Sequence, residues 1–300
     1  MAHATPRAAR PTTGHLSLRV EPREGAHTAL VAHVSDLHEA HTCPYRCAAV
    51  EEWLTEWRPE LLVLNGDIFD LAPLSAFEMA ADEEPRVMHE IRAGVERINR
   101  WARKCDRTVL LLGNHEKRWA KIFTGKAVQL FGAHGLTFAD QLRAQGLDPS
   151  IVIIDEGSDR AALDRPPLLI NDDVAFAHGD RQASRFGGMY PAAQMVRETR
   201  QYNSMRGHTH TAQTYAITSH GRTFWGVSNG ALEAPQPWNG RQQWTHSVSA
   251  VEVFRDHSGA LVSTPHLLLF VGDGLSSFAY GGRRYCGREI VRRWTEERAA

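Results

Sequence analysis

Thr108-Val109-Leu110-Leu111-Leu112-Gly113-Asn114-His115-Glu116 is an apolar run that breaks off into a glycine, an amide, an imidazole and a carboxylate. It reads as a buried strand that delivers polar side chains into a loop at its C-terminal end. The chain repeats this design four more times. Val31 to His38 delivers Asp36 and His38, and Leu61 to Asp67 delivers Asp67. Val174 to His178 delivers His178, and Arg206-Gly207-His208-Thr209-His210 delivers two further imidazoles.

Working outward, the first half alternates strand and helix. Ala29–Val34, Leu61–Leu64 and Thr108–Leu112 are strands. Between the first two lies a helix that opens at Pro44, carries Cys47, Val50, Leu54 and Trp57 at helical spacing, and stops before Pro59. Between the second and third, Val87, Ile91, Val95, Ile98 and Trp101 share the apolar face of another helix, with Arg and Glu opposite. Strand, helix, strand, helix, strand implies right-handed crossovers and a largely parallel sheet. In such sheets ligands bind beyond the carboxyl ends of the strands, which is where Asp36, His38, Asp67 and Asn114 fall.

The rest reads as follows. Leu16–Val20 is an edge strand, and Pro73–Ala81 a short helix in a long loop. Asn114–Phe131 and Phe138–Gly146 are helical, and Ile151–Ile154 is a strand. Leu168–Ile170 and Val174–Ala177 form a hairpin about Asn171-Asp172. Pro191–Gln201 is a helix. Short strands then follow at Thr214–Thr218, Thr223–Val227, Val248–Phe254 and Leu267–Val271, before a basic amphipathic helix over Arg283–Arg298. Parallel α/β first and strand-rich later predicts two sheets packed face to face with helices outside.

Composition bounds the function. The 300 residues can bury a full core, and 42% apolar with 23% charged residues is ordinary for a globular protein. A net charge of −1 argues against broad electrostatic capture of nucleic acid. Cys43, Cys47, Cys105 and Cys286 are too few and too scattered for a disulfide framework. Cys43 and Cys47 beside His38 and His41 admit a small zinc site, but the spacing is not that of a zinc knuckle, and small residues at a helix start are the plainer reading. No apolar stretch approaches the about 18 residues of a membrane span. Residues 1–15 lack the apolar segment of a signal peptide and read as a disordered tail on a cytoplasmic protein, with 16–300 as a single domain.

Each polar fragment alone is weak, since the chain has 16 His. Together they make an inventory of Asp, His, Asp, Asn, His, His, His with no thiolate. That set suits Mn²⁺ first, and also Fe, Zn²⁺ or Ni²⁺, rather than Ca²⁺. Seven donors are too many for one ion that keeps a water. They suit two ions sharing a carboxylate at about 3.5–4 Å, which lower the pKa of a bridging water toward 7 and neutralise phosphoryl oxygens.

The ordered set Asp36-x-His38, Gly66-Asp67, Gly113-Asn114-His115-Glu116, His178 and Gly207-His208-x-His210 resembles the calcineurin-like metallophosphoesterase superfamily, over Ala29 to His210. The resemblance implies a four-layer α/β/β/α sandwich of two mixed sheets with helices outside. It implies Asp36, His38 and His210 on one metal, Asn114, His178 and His208 on the other, and Asp67 bridging. His115 would be the general acid, and Glu116 would orient it. Arg118, with Asn114, is a candidate to contact a phosphate oxygen, the other reading of Arg118 being a scaffold salt bridge. Asp70 and Asp180 follow ligands closely and are either partners of the histidines or exposed turn carboxylates. Phe186, Gly187, Gly188 and Tyr190 form a loop that either walls the substrate or is a surface turn.

The expected activity is metal-dependent hydrolysis of phosphomonoesters or phosphodiesters, on a phosphorylated small molecule or on nucleic acid. A DNA exonuclease or endonuclease of the same superfamily is the alternative, and a scaffold that lost catalysis is disfavoured because no ligand is missing. Membrane association is not expected. Cys43→Ser combined with Cys47→Ser should leave metal stoichiometry unchanged by elemental analysis; a stoichiometric loss of zinc would establish a thiolate site.

Overall fold

The computed structural model describes residues 12–13, 15–75, 87–126, 135–155, 166–180, 190–198, 201–234 and 244–299. One mixed sheet has seven strands. At its centre β3 (Thr28–Val34), β4 (Leu61–Asn65), β5 (Arg107–Leu112) and β6 (Val152–Asp155) run parallel, with β1 (Thr12–Thr13) outside β6. Antiparallel β12 (Ser247–Arg255) and β13 (Leu261–Leu269) extend it beyond β3. The second mixed sheet has the order β10 (Gln213–Ser219), β11 (Arg222–Ser228), β9 (Asn203–Arg206), β8 (Val174–Phe176), β7 (Leu168–Ile170), β2 (Leu16–Leu18).

The period of two in a strand explains the layers. Ala32, Val34, Leu62, Leu64, Leu110 and Leu112 face a core shared with α1 (Pro44–Trp57), α2 (Val87–Ala102) and α4 (Phe138–Ala144). Their neighbours Val31, Leu61, Val63, Val109 and Leu111 face the other way, onto Ile170, Val174, Phe176, Met205 and Val227 of the second sheet. Buried on both faces, these strands read as continuous apolar runs. On the far side α5 (Pro191–Glu198) lies against β9, β10 and β11, so close that a Cβ on Gly226 would press on the Ala192 carbonyl. The expected α/β/β/α sandwich of two mixed sheets is what forms.

Several boundaries differ from those expected. The strand anticipated at Leu267–Val271 starts six residues earlier, because Pro265 sits on an edge strand, where a missing N–H costs little. The last helix, α6 (Arg288–Ala299), is shorter than expected. Arg283–Tyr285 is instead a strand, β15, paired with β14 (Phe278–Tyr280). The helix after β5, α3, covers Lys117–Lys126, leaving Asn114–Glu116 as the turn before it. α6 packs on α1, with the Arg100 guanidinium 4.7 Å from the Trp294 ring centroid. Of the expected tail, 1–11 and 14 lie outside the described residues. Thr12–Thr13 pairs with the open edge of β6, and His15 Nδ1 reaches the Pro166 carbonyl at 2.7 Å. The loop over 186–188 also lies outside the described residues. Among those described, no helix is long and apolar enough to cross a membrane.

The β14–β15 hairpin closes the core beside α1, where Trp53 is fully buried with ring centroids 5.9 Å from Phe278 and 5.8 Å from Tyr280. Trp53→Ala should destabilise the fold by about 3–5 kcal/mol, the range for a buried large-to-small aromatic change. Denaturant unfolding monitored by circular dichroism measures it.

Candidate metal centre

The C-terminal ends of β3, β4, β5, β8 and β9 meet at one place, and every expected ligand side chain follows one of them. Asp36 and His38 follow β3, Asp67 follows β4, Asn114 follows β5, His178 follows β8, and His208 and His210 follow β9. Asp36, His38 and His210 bring one donor atom each within 4.8 Å of one another. So do Asp67, His178 and His208, and so do His38, Asp67 and His115, which makes Asp67 the link between the two sides.

The local backbone is unusual. Asp36, His38, Asp67, His208 and His210 all have φ between 46° and 68°, in the left-handed region. Asp and His tolerate that region better than most residues, but five instances in one pocket mark strain held in place by the surroundings. Backbone bonds join the loops to each other: Asp36 N–H donates to Gly66 O at 3.1 Å, His38 N–H to Asp67 O at 3.0 Å, and Gly207 N–H to His178 O at 3.2 Å. Each of the three glycines that precede a ligand makes room for another. A Cβ on Gly66 would overlap the His178 ring, one on Gly113 the Asp67 carboxylate, and one on Gly207 the Asp36 carboxylate and Ser35.

The electrostatics ask for positive charge. His178 Nδ1 donates to Asn65 O at 2.9 Å, which aims Nε2 at Asp67 Oδ2 and Asn114 Oδ1, each 3.1 Å away. Burial opposes protonation of His178, yet Asp67 overrides it and raises the pKa well above the usual imidazole value. One proton on Nε2 can bond one of the two oxygens well; a cation serves all three atoms. On the other side, His38 Nδ1 bonds Asp70 Oδ1 at 3.2 Å, and its bare Nε2 lies 3.2 Å from His210 Nε2. That His210 nitrogen is also 3.3 Å from Asp36 Oδ1, while its buried Nδ1 has no hydrogen-bond partner among the described residues. Burial holds His38 and His208 below the ordinary histidine pKa, so both keep a lone pair free. Nitrogen and carboxylate donors facing one another with too few protons fit divalent metal ions.

His115 stands beside this cluster, with Nε2 3.8 Å from Asp67 Oδ2 and its ring centroid 4.6 Å from that of His38. Its orienting partner is Asp70, whose Oδ1 is 2.9 Å from Nδ1. Burial lowers the His115 pKa, but the Asp70 hydrogen bond and the Asp67 charge outweigh it and raise the pKa overall. Glu116 does something other than expected. Its Oε2 accepts from Gly113 N–H at 2.7 Å and Asp67 N–H at 3.0 Å, and its Oε1 from Phe69 N–H at 2.9 Å. It fastens two ligand loops together instead of orienting His115, because neighbours in a tight turn point apart. Arg118 Nη2 lies 3.1 Å from His115 Nε2, with Nη1 on the Asp70 carbonyl at 2.6 Å. Asp180 pairs with Lys117 at 2.9 Å. Cys47 is buried, its thiol pushed up to about 11, and no candidate metal cluster among the described residues includes a cysteine.

Residues 29–212 match the family model described as calcineurin-like phosphoesterase, and the chain belongs to that family. No curated protein matches the chain. Among solved structures it is similar to Vacuolar Protein Sorting 29 from Cryptosporidium parvum, at 9% identity over 81% of this chain and 100% of that one, TM-score 0.38. It is also similar to a phosphopantetheinyl hydrolase, PptH, from Mycobacterium tuberculosis, at 15% identity over 79% and 96%, TM-score 0.35. A double mutant of Vps29 from Entamoeba histolytica matches at 14% identity over 79% and 98%, TM-score 0.34.

Gly207→Ala should displace the Asp36 carboxylate and lower the amount of bound divalent metal per chain. Elemental analysis after dialysis reads this directly, and an unchanged metal content would show that the slot behind Gly207 is not needed.

Proposed function

We propose that this family member is a phosphoesterase that works with two divalent cations, Mn²⁺ before Fe, Zn²⁺ or Ni²⁺. Asp36, His38 and His210 would hold one, Asn114, His178 and His208 the other, and Asp67 both. The observation that carries this reading is the set of opposed acceptor atoms at about 3.1–3.3 Å around His178 Nε2 and His210 Nε2. When bound, such a pair lowers the pKa of a water toward neutrality and neutralises charge on phosphoryl oxygens.

The chain's own groups do the rest. Asp70 keeps a proton on His115 Nδ1 and turns Nε2 toward the pocket, from which a proton can pass to the leaving oxygen. Burial lowers the His115 pKa, and the Asp70 hydrogen bond and the Asp67 charge raise it overall, the direction that favours an acid. Arg118, beside His115 Nε2, and Asn114 are the candidates to hold a phosphoryl oxygen. The substrate class is a phosphomonoester or phosphodiester, on a small molecule or on nucleic acid. Four free thiols suit a reducing compartment, and we place the protein in the cytoplasm, folded as a single domain over 16–300.

The test is a Mn²⁺ assay across nitrophenyl phosphates, cyclic nucleotides and single- and double-stranded DNA. Turnover of DNA alone would favour the nuclease reading, and metal binding without any turnover would favour a scaffold. Asp67→Asn should abolish hydrolysis, and near-wild-type turnover would rule out the shared-ligand role. His115→Ala should keep both metals while losing about 10²–10⁴-fold in rate. Loss of metal from that variant would make His115 a ligand instead.

A further inference from the structure

The loop after β4 has Asp67 at one end and Asp70, the partner of His115, at the other. Its amides are given to carboxylates from other elements. Glu116 takes those of Asp67 and Phe69. Glu90, in the first turn of α2, takes those of Asp70 and Leu71: Oε1 accepts from both, and Oε2 accepts from Leu71 at 3.2 Å. Leu71 sits at φ 50°, a conformation that a residue of its bulk holds only under restraint.

The next turns of α2 continue the grip. Gly94 is four residues on, on the same face, and a Cβ there would overlap the Phe69 ring from the middle of the loop. Arg97, one turn further, makes a bidentate pair with Glu39 at 2.7 and 2.8 Å, in the loop that carries His38. A helix that serves only to cover a sheet needs an apolar face. This one also turns Glu90, Gly94 and Arg97 toward the loops of the metal centre.

We propose that Glu90 is a positioning residue for proton delivery: by holding the Asp70 and Leu71 amides it fixes the Asp70 carboxylate against His115 Nδ1. This rests on the reading of His115 as the general acid. His115 Nδ1 is 2.9 Å from both the main-chain carbonyl and Oδ1 of Asp70, and Oδ1 is 3.2 Å from His38 Nδ1, so a small drift of the loop loosens all three contacts. Misplacement by about 1 Å can cost about 10²-fold in rate. The proton leaves His115 Nε2 for the ester oxygen as the P–O bond to that oxygen breaks. Only a poor leaving group needs it. Burial pushes the Glu90 carboxyl up to about 7 against the pull of the amides, so an uncharged acceptor in its place still serves.

The experiment compares the Mn²⁺-loaded wild type, Glu90→Ala and Glu90→Gln on phenyl phosphate and 2,4-dinitrophenyl phosphate, or on the matching diesters if the wild type prefers them. Glu90→Ala should retain two metals and lose about tenfold or more on the phenyl ester but no more than about threefold on the dinitrophenyl ester. Glu90→Gln, whose amide oxygen still accepts, should recover most of the loss. Equal losses on both esters, loss of metal, or an unchanged leaving-group dependence would overturn the proposal. If Glu90→Ala does not fold, Glu90→Asp, which retracts the carboxylate by one methylene, is read in its place by the same criteria. A wild type that, with metal bound, hydrolyses neither these esters nor DNA overturns the phosphoesterase reading itself. An active wild type whose His115→Ala variant shows no added loss on the phenyl ester removes the general acid alone.

Discussion

A buried deficit of positive charge organises this structure. Asp36 and Asp67 lie out of water, faced by imidazole nitrogens, and in His38 and His178 the other ring nitrogen is already engaged, by Asp70 and by the Asn65 carbonyl. Burying a carboxylate without compensation is costly, and burying several polar acceptors against one another is costlier. His178 answers in part by holding a proton more tightly than a free histidine would. A proton is directional and satisfies one acceptor at a time. The pocket presents its acceptors from several directions, which is the geometry of cation coordination.

Holding that deficit together requires the backbone to adopt conformations it would otherwise avoid. A left-handed residue costs of the order of 1–3 kcal/mol, and five of the ligand positions are of this kind. The loops are therefore held from outside. The ends of β3, β4 and β5 in one sheet and of β8 and β9 in the other bring them to one place. Glu116 and Glu90 take their amides, and Gly66, Gly113 and Gly207 leave room for the neighbouring side chains. The sandwich supplies rigidity, and the loops carry the strain.

Much of this was legible in the residues alone, for physical reasons. Strands buried on both faces must be apolar throughout, so Leu61–Leu64 and Thr108–Leu112 stood out, and coordination chemistry admits few side-chain types at their ends. What escaped the reading depends on placement in three dimensions. Glu116 was expected to act on its neighbour His115, whereas the residue that does so, through both its carboxylate and its main-chain carbonyl, is Asp70, from the loop after another strand. Glu90 was one acid among many on an amphipathic helix, and no periodicity separates a buried clamp from a solvated face. Pro265 broke the apparent pattern of β13 because pairing on one side only cannot be read from a single strand.

The placement of Asp70 has a consequence for how the centre works as a unit. A single oxygen, Oδ1, aims both His38, in the metal cluster, and His115, beside it. Asp67, the carboxylate common to both sides, lies three residues earlier on the same clamped loop. The separation of Asp67 from the carboxylate that faces His115 is thus set within one short segment, held from outside by Glu116 and Glu90. Trp244, whose ring centroid is 4.3 Å from that of His210, belongs to a segment remote in sequence from Asp67 and Asp70. Under the proposed phosphoesterase reading, selectivity for a particular ester would reside in such surrounding walls and not in the side chains that converge at the strand ends.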